Sequence, residues 1–154
     1  MTHEDFVTYE QAKILKDLGF DWECTHYYWE NSESLREYLA KNIDMYHNSW
    51  DFNYTEYIDE YTIPSGKHFR ENRFEDAYSA PTLAQAQKWL REDKDICVMP
   101  IKCTKIGNSI DGKYYSEIRA MDGKMIRCSY QVRETYEEAL SVGLDEALEI
   151  IKNK

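Results

Sequence analysis

Apolar and polar positions alternate with two different periods along this chain. Helical spacing is clearest at 135–152, where Leu140, Leu144, Ala147, Leu148 and Ile151 fall on one stripe. It recurs at 82–93 with Leu83, Ala86 and Leu90 inward, and at 34–46 with Leu35, Leu39, Ile43 and Tyr46. Between the last two of these helices the period drops to 2. In Lys124–Arg133, Ile126, Cys128, Tyr130 and Val132 alternate with Arg127, Ser129, Gln131 and Arg133, the pattern of a half-buried strand. The preceding run sets Tyr114, Ile118 and Ala120 on one face and Glu117 and Arg119 on the other. A third strand is expected within 96–106, and Pro100 confines it to an edge or a bulge because proline cannot donate to a central ladder.

The helix boundaries are written in a recurring word. "TYEQA" at Thr8, "TLAQA" at Thr82 and "TYEEA" at Thr135 each place Gln or Glu three residues after a Thr. In such a capping box the hydroxyl accepts from the third backbone N–H, and the Gln or Glu side chain reaches back to the cap amide. The starts are 74 and 53 residues apart (82 − 8 and 135 − 82), so no repeat is implied. A fourth box, Ser34 with Glu37, opens the helix at 34–46. The first helix spans 8–18 and closes at Gly19, with Phe20 following in position for a Schellman contact on Leu15. Gly143, inside the last helix, costs about 1 kcal/mol relative to Ala.

Parity decides the hairpin. A two-residue loop at Asp122-Gly123 would pair Ile118 with Arg127 and send the two apolar sets to opposite faces. A three-residue loop, Met121 to Gly123, pairs Ala120 with Lys124 and Ile118 with Ile126, and requires Gly123 to be left-handed. The expected fold is α+β in one globular domain, 1–154: an antiparallel meander of three or more strands over about 96–133, packed against about four helices at 8–18, 34–46, 82–93 and 135–152.

Composition narrows what such a domain can do. The chain has 154 residues, 42% hydrophobic and 14% aromatic, which is enough apolar surface for a core despite 31% charged residues. A formal charge of −10 repels phosphate backbones, so nucleic acid is an unfavourable partner. The start "MTHEDF" has no basic or apolar leader, and no apolar run reaches membrane-spanning length, so a cytoplasmic protein is expected. Cys24, Cys97, Cys103 and Cys128 form no CxxC pair and read as reduced thiols, the strand cysteines as small buried hydrophobes.

No phosphate-cradling glycine loop, HExxH, GxSxG or GxGxxG occurs, and no cofactor is expected. Cys24 and His26 lack partners at metal-ligand spacing. The segment 44–61 stands apart. Tyr46, Trp50, Phe52, Tyr54, Tyr57 and Tyr61 are interleaved with five acids and no Lys or Arg. Alternation at Trp50, Phe52 and Tyr54 suits a strand completing the core. Tyr46, Trp50, Phe52, Tyr54 and Tyr57 also suit a protein-binding surface, since Tyr and Trp anchor interfaces. Two alternatives are a hydrolase or nuclease holding a divalent metal with Asp51, Glu56, Asp59 and His68, and an acidic mimic of DNA.

"YSAPTLAQAQKWLRE" at 78–92, "ETYEEALSVGLDEALEII" at 134–151 and "EQAKILKDLGF" at 10–20 resemble a group of small proteins encoded by bacteriophages and mobile elements of gut anaerobic bacteria. The resemblance implies a cytoplasmic protein made inside an infected or element-bearing cell, and it brings no functional residues with it. The expected role is a non-enzymatic accessory module that binds another protein.

Overall fold

The computed structural model describes residues 5–29, 33–37, 77–104, 107 and 109–153. The chain is α+β, with three helices and two antiparallel three-stranded sheets among these residues, and it divides into two compact units.

The unit running from Thr8 to Pro81 opens with helix α1 (Tyr9–Asp17), started and stopped as its sequence dictates. Thr8 Oγ1 accepts from the Gln11 amide at 3.2 Å while Gln11 Oε1 accepts from the Thr8 amide at 2.9 Å. At the other end Gly19 has φ +96° and the Phe20 amide donates to the Leu15 carbonyl at 2.9 Å, closing the Schellman turn. The sheet has the order β2 (Arg36–Glu37), β1 (His26–Trp29), β3 (Ala77–Ser79). Tyr27, Tyr28 and Trp29 are all buried, so β1 is covered on both faces and carries no alternation for a sequence reading to detect. Tyr9 of α1 meets the rings of Tyr28 and Tyr78 edge-on, at 5.8 and 5.9 Å.

The helix expected at 34–46 is corrected here. Arg36 and Glu37 form strand β2, opposite Tyr27 and His26, and residues 38–46 lie outside the described set. A capping box stabilises a helix by only about 1 kcal/mol, and tertiary pairing against a buried strand outweighs that local preference.

The second unit comprises residues 1–7 and 82–154. Helix α2 (Leu83–Asp93) leads into a meander, β4 (Ile96–Lys102), β5 (Tyr114–Ala120) and β6 (Met125–Arg133), followed by helix α3 (Tyr136–Lys152). Both helix starts use their Thr caps, and the Leu83 amide at the start of α2 donates to the Asp5 carbonyl at 2.9 Å. Strand β4 is an edge, as Pro100 requires. Its Ile96, Val98 and Pro100 direct their backbone groups away from β5: the Val98 carbonyl accepts from Gln87 Nε2 at 2.7 Å, so the N–H that Pro100 lacks would have pointed off the sheet.

The hairpin between β5 and β6 has the expected three-residue loop. Gly123 has φ +88°, the Ala120 amide donates to the Lys124 carbonyl, and Arg119 lies opposite Met125. Beyond that point the expected register fails. A bulge makes Ile126 the extra residue, so Ile118 faces Arg127, Glu117 faces Cys128 and Ser116 faces Ser129. From Arg127 to Tyr130 the strand therefore turns over, with Ser129 buried whereas Ile126 is 43% and Tyr130 86% exposed, and a second irregularity then brings Tyr114 opposite Arg133. Arg127, on the helix side, donates to Glu146 Oε2 at 2.7 Å, an ion pair that an Ile at this place could not make.

Alpha-helix α3 lies across all three strands with Ala139, Leu140, Leu144, Ala147 and Leu148 buried against Val98 and Ile118. Helix and sheet approach closely at Gly143, where an added Cβ would sit 2.5 Å from Val98 Cγ1 and 2.8 Å from Ser116 Cβ. This glycine thus makes room for the sheet. Ser116 Oγ, beneath it, donates to the Ala139 carbonyl at 2.5 Å, satisfying a polar group that would otherwise be stranded in the core.

Candidate functional site

Because the helices cover one face of the β4–β6 sheet, the side chains of opposite parity are left on the other. Cys97, Met99 and Ile101 of β4, Tyr115, Glu117 and Arg119 of β5, and Met125, Cys128 and Tyr130 of β6 share this face. Part of it forms an open hollow of about 650 Å³, lined among others by Ile101, Cys103, Tyr115, Met125, Cys128 and Tyr130. Met99, Met125 and Tyr130 are exposed large apolar side chains, so this surface is more apolar than a solvated sheet face requires.

One carboxylate sits in the middle. Glu117 Oε1 accepts from Arg119 Nε at 3.0 Å and lies 2.9 Å from Arg119 Nη2, while its Oε2 accepts from the Tyr115 hydroxyl at 3.3 Å. Arg119 Nη1 also donates to the Gly123 carbonyl at 2.7 Å, which ties the ion pair to the hairpin turn. Burial first, and then the negative charge of Glu117, push the Tyr115 hydroxyl and the Cys128 thiol above their ordinary pKa values. Both groups therefore stay protonated at neutral pH, and a protonated thiol is neither a strong nucleophile nor a ready metal ligand. What the surface offers is adaptable apolar contact from methionine and aromatic side chains around one satisfied ion pair.

The aromatic residues singled out in the sequence, Tyr46, Trp50, Phe52, Tyr54 and Tyr57, lie outside the described residues, as do Asp51, Glu56, Asp59 and His68. Cys24 is buried beside the Trp22 carbonyl, and His26 Nδ1 lies 2.8 Å from the Thr25 hydroxyl. Among the described residues no group of three or more His, Cys, Asp or Glu is placed to hold a metal ion, and the four cysteines are free. Cys97 and Cys128 are half-buried on the open face, whereas Cys103 is buried as expected. The apolar character of the open face is not legible in the sequence because the bulge at Ile126 turns Cys128 and Tyr130 to the side that alternation assigns to the polar residues. The exposed trio Met99, Met121 and Met125 was the available signal.

Comparison with protein-family models, with curated proteins and with solved structures gives no match for this chain. No helix among the described residues is long and apolar enough to cross a membrane.

Proposed function

We propose that this chain is a non-enzymatic binding module, a cytoplasmic accessory protein of a phage or mobile element that acts by docking on another protein through the open face of the β4–β6 sheet. The observation carrying this reading is the apolar surface on which Met99, Met125 and Tyr130 stand exposed, with Glu117 paired to Arg119 and with the Tyr115 hydroxyl and Cys128 thiol pushed up, away from reactivity. The phage or mobile-element setting comes from the resemblance of the helix segments at 10–20, 78–92 and 134–151. Nucleic acid is the less favourable partner: the chain carries −10, and the first turn of α3, where a phosphate would be drawn to a helix N-terminus, holds Glu137 and Glu138.

Photo-cross-linking in cells that naturally make the protein tests the reading. With benzoylphenylalanine in place of Tyr130, irradiation is expected to give a discrete protein adduct that is absent when the same group replaces Arg91 on the exposed side of α2. No adduct at position 130, or the same adducts from both positions, contradicts it.

A further inference from the structure

We draw no further inference here: the strongest candidate, the open apolar face of the β4–β6 sheet around Met99, Tyr115 and Tyr130, belongs to the site already described, and nothing among the described residues shows what covers it.

Discussion

Gly143 shows how a single position can reverse a local propensity. In an isolated helix, replacing it with alanine would help by about 1 kcal/mol. Here the new methyl group would lie 2.5 Å from Val98 Cγ1 and 2.8 Å from Ser116, both fixed on sheet strands, and overpacking of that kind costs about 1–3 kcal/mol. Gly143→Ala is therefore expected to lower the unfolding free energy by a net amount of roughly 1 kcal/mol once the helix gain is subtracted, and the denaturant midpoint with it. A raised midpoint would mean that α3 does not cross the sheet at this residue. Cys24 governs a different property. Burial pushes its thiol from 9.0 up to about 12. Between those values the unfolded chain has lost the proton and the folded chain keeps it, so stability falls as pH rises through this window, by up to about 1.4 kcal/mol per pH unit. Below pH 9 the contribution is fully present. Urea unfolding at pH 8 and pH 10.5 should show a smaller alkaline loss in Cys24→Ala than in the wild type, and equal losses would contradict the assignment.

At the scale of elements, helices α1, α2 and α3 were legible almost to the residue because each announces itself twice, through a Thr cap and then through the Gly19 stop in α1 or an apolar stripe in α2 and α3. The boxes nevertheless differ in completeness. At Thr8 and Thr82 both reciprocal bonds form, whereas at Thr135 the hydroxyl accepts from the Glu138 amide. Gln85→Ala is accordingly expected to lose more stability than Glu138→Ala, on the order of 0.5–1 kcal/mol against a few tenths, as read by thermal unfolding; the reverse order would contradict the capping geometry. The strands were legible in number and direction within 96–133, and the Gly123 turn followed from parity. The face of β6 does not follow, because alternation places Ile126 in the ladder and the residue stands outside it as a bulge. Alternation cannot reveal an inserted residue when both parities contain acceptable side chains, and here Ser129 was as able to be buried beside Ser116 as Cys128 was. Strands β1 and β3 were missed for the opposite reason: "HYYW" and "AYS" are too short and too fully buried to show any period.

For the molecule as a whole, charge and composition were informative about what to exclude, and the open sheet face required the fold. Four sulfur-bearing residues, Cys97, Met99, Met125 and Cys128, are scattered across 32 positions of sequence and share this face only because three antiparallel strands bring them into adjacent rows. Exposed methionines give the face a chemical reporter, since peroxide converts an accessible thioether to a sulfoxide and leaves a covered one alone. The most direct test of the docking surface is a brief peroxide pulse, read by mass spectrometry at Met99 and Met125, on the purified chain and on the same chain in fresh lysate of cells that naturally make it. Rapid sulfoxide formation in the purified chain with marked protection of both residues in the lysate is the expected result. Equal oxidation in the two settings, or slow oxidation of the purified chain, would contradict an open face that binds another protein.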